Sequence, residues 1–238
     1  MLDFLTQAFS IKTILYHFNI GSGYSLSYIE AVGTIFGLLC IWYASQEKII
    51  NFWFGLLNVT LFGIIFYQIQ LYANLLLQIF FFVMNVYGLY AWGKPAASDD
   101  GLKIRWLKPQ QLIITIIIAI VAIIVLANFI NPIFSFLTVA AVKLMQLVAP
   151  TLSMPAVEPD PYPLMDAAVT VLSIIAMIQM TRKLVENWII WVMIDLISIV
   201  LYAKQDVYFM ALEYTILTAI ALNGTREWIK AAKENQRV

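Results

Sequence analysis

The sequence has few of the residues from which soluble enzymes build their surfaces and metal centres. Its 238 residues include one cysteine, Cys40, and one histidine, His17. A single thiol cannot form an internal disulfide, and one thiol with one imidazole cannot complete a four-ligand zinc site. Charged residues make up 12% of the chain, whereas soluble domains carry roughly 25%. So little charge cannot cover a water-facing surface, which argues against a soluble enzyme.

Other absences disfavour further classes of function. The 14 basic and 14 acidic residues cancel, so no excess of positive charge predicts a nucleic-acid partner. The chain has no G-x-x-x-x-G-K-[ST] segment to cradle a phosphate, no paired-histidine metal motif and no serine elbow. We therefore expect no cofactor and no metal site, and neither ATP-driven pumping nor proteolysis in the membrane is favoured.

Long apolar runs are what the chain has in abundance, since 62% of its residues are hydrophobic. A helix needs about 20 apolar residues to cross the hydrocarbon core of a bilayer. The sequence therefore predicts an all-α membrane protein with seven transmembrane helices, and no proline falls inside any of them. The predicted spans are residues 28–45, 52–68, 71–92, 111–129, 164–181, 188–203 and 208–225.

The segments between the spans are shorter or more polar. Residues 1–27 lack the basic start and the sustained apolar core of a cleaved signal peptide, and we expect a short interfacial helix there. Residues 134–148 are predicted to form a helix on the membrane surface. Residues 150–163 are rich in proline and should be extended and solvated.

The distribution of lysine and arginine predicts the orientation in the inner, cytoplasmic membrane. Loops that stay in the cytoplasm carry an excess of these residues, so the C-terminus should be cytoplasmic and the N-terminus outside. The other side would receive only Lys12, Lys143 and Lys204. The cytoplasmic side would receive Lys48, Lys94, Lys103, Arg105, Lys108, Arg182, Lys183, Arg226, Lys230, Lys233 and Arg237.

The chain resembles itself at an offset of 136 residues, without a gap. One offset serves three spans and their connections, which favours an internal duplication. Span 111–129 between the copies would turn the second copy to the direction of the first, giving a 3+1+3 arrangement of parallel repeats. Transporters of this plan bind their cargo near mid-membrane between the halves. The aligned pairs include Glu30 with Asp166, Asn51 with Asn187, Tyr72 with Tyr208, Gly88 with Gly224, and Trp92 with Trp228.

This duplication divides the chain into five parts. Each repeat carries three spans, and the linker carries the fourth span and an extracytoplasmic loop. The parts are an N-terminal extracytoplasmic segment (1–27), the first repeat (28–94), the linker (95–163), the second repeat (164–230) and a cytoplasmic tail (231–238).

The sixth predicted span carries the richest polar face. Trp188, Trp191, Asp195, Ser198 and Tyr202 recur at steps of three and four residues, so they share one side of a helix. Polar groups inside a span are costly and usually face a cavity or another helix. The stripe therefore indicates the wall of a polar cavity. The alternative is that Trp188 lies in the interfacial aromatic belt and Asp195 pairs inside the bundle.

Polar side chains in other spans are further candidates. Gln78 and Asn85 share a face of the third span, and Asn58 lies in the second. Amides can also join helices without any ligand. Glu213 and Tyr214 lie in the seventh span. We expect Glu30 and Asp166, at the starts of equivalent helices, to act as helix caps or to favour the helix dipole.

The ordered set of motifs resembles the PnuC family of bacterial vitamin B3 precursor transporters. The signature end is Asn187-Trp188-x-x-Trp191-x-x-x-Asp195, and it is followed by Tyr202, Tyr208, Tyr214, Gly224 and Trp228. The first repeat agrees with Glu30-x-x-Gly33-Thr34-x-x-Gly37, Trp42, Asn58, Gln78-x-x-Phe81, Tyr87-Gly88 and Trp92. It departs at Asn51-Phe52-Trp53, where the Asn and Trp are expected to be adjacent.

The resemblance implies a SWEET-like fold and facilitated diffusion of nicotinamide riboside. Phosphorylation by a cytoplasmic riboside kinase would make uptake one-way. The bilayer is then a partner, and a homo-oligomer is compatible with the sequence. The expected substrate-binding residues are Trp188, Trp191, Asn187, Asp195, Gln78, Asn85, Tyr87, Glu213, Tyr214, Tyr202 and Asn58.

The chemistry of these residues suits that cargo. Two indoles, Trp188 and Trp191, can hold a cationic pyridinium ring by cation–π contact. Asp195 or Glu213 can offset its charge, and the amides Gln78, Asn85 and Asn187 suit a carboxamide or ribose hydroxyls. No lysine or arginine inside the spans could replace the hydration of a phosphate, so the mononucleotide should be rejected.

Two alternatives stay open. The first is a carrier of thiamine or a sugar on the same fold, although sugar carriers place prolines in their repeat helices and this chain does not. The second is a membrane-embedded enzyme or receptor that uses Asp195 and Glu213 for acid–base work. No nucleophile or metal motif supports the second alternative.

Overall fold

Seven helices follow a short β-hairpin in the computed structural model, which describes residues 7, 9–19, 23–94, 101–147, 149–156 and 158–236. The prediction of seven helices is confirmed, because each predicted span coincides with one of them within one to four residues except where α4 and α7 run further. The elements are β1 (Ile14–Phe18), β2 (Tyr24–Ser27), α1 (Tyr28–Ser45), α2 (Asn51–Gln68), α3 (Tyr72–Trp92), α4 (Pro109–Met145), α5 (Pro163–Thr181), α6 (Glu186–Lys204) and α7 (Tyr208–Asn235).

Six of these helices, α1 to α6, are long and apolar enough to cross a membrane. The chain is therefore a multi-pass membrane protein. Helix α7 has the length but is less apolar, since it carries Glu213, Asn223 and a charged last third. Its own crossing stays a prediction. It continues to Asn235, so most of the predicted cytoplasmic tail is helical.

The N-terminal segment differs from the prediction. Instead of an interfacial helix, its described part holds β1 paired with antiparallel β2, with Phe18 opposite Tyr24. Aromatic and β-branched residues, which favour strands, dominate β1. The turn before β2 ends at Gly23, whose φ of 81° suits glycine. The all-α class is therefore confirmed for the spans but not for this hairpin.

The fourth helix also differs from the prediction, because it runs through residues assigned to a span and to a separate surface helix. Helix α4 is one element of 37 residues with a break in helical geometry at Phe129, where φ is −119° and ψ is 17°. Pro132, which no predicted span contained, lies just beyond that break. Proline has no amide hydrogen for the helical bond to the carbonyl four residues earlier, which explains the kink.

The helices pack in an order that repeats itself. Helix α2 contacts α1 and α3, α6 contacts α5 and α7, and α4 packs against α3 and α5. The two groups of three meet twice, through α1 with α7 and through α3 with α5. The offset of 136 residues converts α1 into α5 and α3 into α7, so it converts one of these interfaces into the other. Two copies related by a two-fold axis require such a pair of interfaces.

Local backbone geometry follows the same offset. Among the described residues, the non-glycine positions with positive φ are Glu47 (57°), Lys183 (53°), Gln70 (61°) and Asp206 (59°). The first two are 136 residues apart, and so are the last two. Each follows a helix and starts the tight turn into the next, where a left-handed residue ends the helix. The two halves therefore share their turn chemistry as well as their helix lengths.

Candidate functional site

The polar stripe of α6 faces the interior of the bundle. Asp195 is 4% exposed and Ser198 is 1% exposed, whereas Met193 and Leu196 on the other side are 45% and 52% exposed. The face opposite the stripe is not wholly lipid-facing, however. Ile194, which the sequence assigned to lipid, is buried in an apolar cluster that includes residues of α4 and α5. Neighbouring helices, which periodicity does not place, cover it.

Asp195 is the most informative member of the stripe. Its side chain makes no hydrogen bond or ion pair within the described residues, although it is nearly inaccessible. Trp191 lies one turn earlier on the same face, half-buried between the two apolar clusters of the bundle. The Tyr214 hydroxyl of α7 is an electrostatic neighbour of the carboxylate. A buried carboxylate without a partner is costly, so a cationic partner would be strongly favoured there.

Two tyrosines and a second carboxyl group extend the site towards α1. Tyr202 of α6 and Tyr214 of α7 stack, with ring centroids 5.4 Å apart and planes 17° from parallel. Glu213 lies within hydrogen-bonding reach of the Thr34 hydroxyl and near Glu30, both on α1. The structure therefore brings four predicted residues, Asp195, Tyr202, Glu213 and Tyr214, into one region where α6, α7 and α1 meet.

The N-terminal hairpin covers one end of this region. The Tyr24 hydroxyl of β2 donates a hydrogen bond to Glu30 and stacks its ring on Phe209 of α7, 5.1 Å between centroids. Burial and the bond to Glu30 raise the pKa of Tyr24 well above its usual range. Phe18 of β1 packs on the other side of the Phe209 ring, at 4.6 Å. The hairpin thus joins the start of α1 to the start of α7.

Glu30 has the capping role that the sequence predicted. Its backbone amide donates to the Ser27 hydroxyl at 3.3 Å, and its carboxylate accepts from the Ser27 amide at 3.4 Å. This reciprocal pair is a capping box at the start of α1. The contact with Tyr24 was missed, because nothing in the sequence indicated that residues before the first span fold back onto it.

Asn187 and Trp188 have packing and capping contacts instead of facing a cavity. The Asn187 amide donates to the Leu184 carbonyl at 2.5 Å, in the first turn of α6. Trp188 is 1% exposed, and a Cβ placed on Gly224 would lie 2.7 Å from its indole ring. Asp195 lies seven residues further along α6, about 10 Å by helical rise. Their predicted contacts with cargo stay predictions.

Residues of the first repeat chiefly join helices to one another. The Asn58 amide donates to the Gly33 carbonyl of α1 at 2.9 Å. Asn85 donates to the Phe81 carbonyl at 2.8 Å, and its side chain lies directly over Gly55 of α2. These contacts are the helix-joining alternative left open for the amides.

Gln78 and Tyr87 lie away from the second-repeat carboxylates. Gln78 lines a mostly apolar groove of about 420 Å³ between α2 and α3, together with Gly63 and Phe82. Tyr87 is 46% exposed on the outer surface of α3. Neither has a described contact with Asp195 or Glu213. In the part of the chain that the structure describes, no group of three or more His, Cys, Asp or Glu side chains could hold a metal ion.

Comparison with known proteins decides the family. The family model described as "Nicotinamide mononucleotide transporter" matches residues 27–230. The chain belongs to this transporter family. The match spans α1 to α7 almost completely, and it confirms the PnuC resemblance inferred from the motifs. An enzyme or a receptor finds no support in this family membership.

Individual members of the family are similar over nearly the whole chain. The nicotinamide riboside transporter PnuC of Escherichia coli (strain K12) is 56% identical over 228 residues, which cover 95% of each chain. The riboflavin/roseoflavin transporter RibM of Streptomyces davaonensis is 24% identical over 217 residues, 87% of each chain. The crystal structure of a vitamin B3 transporter PnuC superposes with a TM-score of 0.62 at 20% identity, covering 87% of this chain and 83% of that one. This likeness confirms the fold.

Proposed function

We propose that this family member is a passive carrier that takes up nicotinamide riboside across the inner membrane. The observation that carries the proposal is Asp195, a buried carboxylate with no protein partner among the described residues, in a chain 56% identical to a nicotinamide riboside transporter. The pyridinium ring of the riboside bears the positive charge that this carboxylate needs. A neutral cargo would leave Asp195 unpaired in a site of low polarity.

Within this proposal the residues have distinct roles. Asp195 offsets the charge of the ring, and the half-buried indole of Trp191, one turn away, contacts its face by cation–π attraction. The stacked pair of Tyr202 and Tyr214 forms a wall towards α7, and Glu213 holds hydroxyl groups of the ribose. Asn58, Asn85, Asn187 and Trp188 keep the helices in place around the site, whereas Gln78 and Tyr87 lie outside this smaller set.

The division into repeats supports movement by alternating access. We propose two parallel three-helix repeats, 28–94 and 164–230, joined by the linker 95–163 and flanked by the segment 1–27 and the tail 231–238. The two equivalent interfaces, α1 with α7 and α3 with α5, support this division. The charge distribution of the loops supports an outside N-terminus and a cytoplasmic C-terminus.

The choice between riboside and mononucleotide follows from the cations available in the spans. The family description names the mononucleotide, whereas the 56% identical relative is named for the riboside. Within α1 to α6 the only lysines or arginines are Lys143 and Lys204, both in the last turn of a helix. A phosphate carried to mid-membrane would lose its hydration without a cationic partner. We therefore propose that the mononucleotide is rejected.

Uptake by proteoliposomes tests the proposal directly. Purified protein should take up labelled riboside until the inner and outer concentrations are equal, and it should exclude the mononucleotide. Adding a riboside kinase and ATP inside the vesicles should then allow continued accumulation of phosphorylated product. Vesicles that take up both compounds at similar rates, or that take up neither, would overturn the assignment. A riboflavin carrier would instead take up labelled riboflavin and leave the riboside outside.

A further inference from the structure

The segment between α3 and α4 lies across one end of the helix bundle. Residues 101–108, here called the strap, run beside the turn that joins α5 to α6. The Arg105 amide donates to the Lys183 carbonyl at 3.1 Å, and the Val185 amide donates to the Arg105 carbonyl at 3.0 Å. The Leu107 amide donates to the Glu186 carboxylate at 2.9 Å. The strap is thus held by a two-bond parallel bridge and one charged acceptor.

A fourth hydrogen bond ties the strap to α7. The Asn235 side chain donates to the Ile104 carbonyl at 3.1 Å. All four of these bonds involve residues of the second group of helices, α5 to α7, although the strap follows α3 in the chain. The strap is therefore bound to the second group and should move with it.

Ile104 carries the contact of the strap with the rest of the bundle end. It is 2% exposed and belongs to one apolar cluster with residues of both groups, including Ala44 and Trp92 of the first and Trp228 of the second. The Trp228 indole donates to the Ala44 carbonyl at 3.2 Å, and the Trp92 indole donates to the Thr181 carbonyl at 3.2 Å. Ile104 therefore lies where the two groups are joined to each other.

An ion pair closes the same end. Lys183 Nζ lies 2.6 Å from Glu47 Oε1 and 4.9 Å from the centre of the Trp92 ring. The two residues are 136 apart, at equivalent turns of the two groups, so a relative rotation of the groups must separate them. A cavity of about 580 Å³ adjoins the pair and is lined by Glu47, Ile104 and Trp228 among others.

We propose that Ile104 is the gating residue at this end and that the Glu47–Lys183 pair is its latch, an inference that rests on the transport function proposed above. When the end opens, the strap stays bound to the second group. Ile104 then leaves Ala44 and Trp92, and the latch breaks. The asymmetry of the hydrogen bonds specifies this sequence of contacts, because the strap has four bonds to the second group and apolar contact alone with the first.

Cysteine labelling in nanodiscs tests the gate without depending on orientation or on transport. In a Cys40→Ser background, Ile104→Cys is compared with Lys103→Cys, its exposed neighbour in the strap. A hydrophilic maleimide should modify position 104 about tenfold more slowly than position 103, because only open molecules expose it. Equal rates at the two positions would overturn the proposal.

The latch is tested by charge reversal in the same assay. Glu47→Lys and Lys183→Glu should each raise the labelling rate at position 104 by about fivefold, since each replaces an attraction by a repulsion across a partly exposed pair. The double variant with both changes restores the attraction and should return the rate to that of the parent. Rates that do not respond to either single change, or that stay high in the double variant, would contradict a latch. Unfolding temperatures of all variants separate opening from loss of fold.

Cargo provides the link to function. Nicotinamide riboside should raise labelling at position 104 and leave position 103 unchanged. A parent protein that takes up no riboside but shows charge-dependent exposure of position 104 would retain the gate and refute the transport assignment. A parent that takes up riboside while position 104 stays insensitive to the latch variants would do the reverse.

Discussion

The two halves of this transporter share a backbone but not a chemistry. At the bundle end both use the same devices, since Asn51 and Asn187 cap α2 and α6 through equivalent carbonyls. In mid-membrane they diverge. The offset that relates the halves replaces Asp195 by Val59 and Glu213 by Leu77. Charge inside the bundle is therefore concentrated in the second half, so the duplication preserved packing while one copy acquired the binding chemistry.

The helices α2 and α3 show what the first half has instead. Gly55 admits the Asn85 side chain, so these two helices lie close together. At the equivalent positions the second half has Trp191 and Ala221. The large residue has moved from one helix to the other and has become an aromatic surface beside Asp195. Glycine and an amide close the space in one copy, whereas an indole can line it in the other.

The largest expected effect comes from neutralising the charge that distinguishes the halves. Asp195→Asn should lower uptake of nicotinamide riboside by about 100-fold, since loss of a buried counter-charge costs about 2–5 kcal/mol. Uptake by proteoliposomes at fixed protein density measures it. Val59→Asn, the matched change in the first half, should lower uptake far less. Equal losses in the two variants would show that the halves contribute alike.

The next effect concerns packing that the halves share. Gly88→Ala would drive a methyl group into the Phe52 ring, and Gly224→Ala would place one 2.7 Å from the Trp188 ring. Overpacking of this kind costs about 1–3 kcal/mol, and the closer approach at Gly88 should make that variant the less stable. Thermal unfolding in detergent measures both. Gly63→Ala is the control, because the nearest atom there is at an ordinary 3.7 Å.

A smaller effect should be nearly equal in the two halves. Trp92→Phe and Trp228→Phe each remove one indole hydrogen bond to a carbonyl of the other half. Each loss should cost about 1 kcal/mol of stability, measured by thermal unfolding. A double variant that loses much more than the sum of the two would reveal coupling between the interfaces. A large difference between the single variants would break the equivalence proposed for the two interfaces.

The smallest effect belongs to the hairpin, which has no counterpart in the other half among the described residues. Tyr24→Phe keeps the ring stack on Phe209 and removes the hydrogen bond to Glu30, so it should cost under about 1 kcal/mol. Phe209→Ala removes the stack and should cost more. Thermal unfolding of the two variants compares them. A larger loss in Tyr24→Phe would mean that the hydrogen bond, not the aromatic contact, holds the hairpin.

Spacing in the sequence predicted the helices and the buried face of α6 well, because both follow from backbone periodicity. It did not predict which neighbour each polar residue meets. Trp188 and Trp191 have the same place in the motif, yet Gly224 receives one ring and leaves the other half-buried between clusters. The kink of α4 and the hairpin were also missed, since each depends on how a segment continues beyond its apolar run.

The sequence by itself determined the number and positions of the helices and the relation between the halves. In a bilayer each span must satisfy its own backbone hydrogen bonds over a fixed apolar length, and that requirement is written locally. Only the tertiary structure decided that Asp195 has no partner, that Asn58 and Asn85 join helices, and that Ile104 closes the bundle end. These outcomes depend on side chains from distant helices, and no local pattern specifies which of them meet.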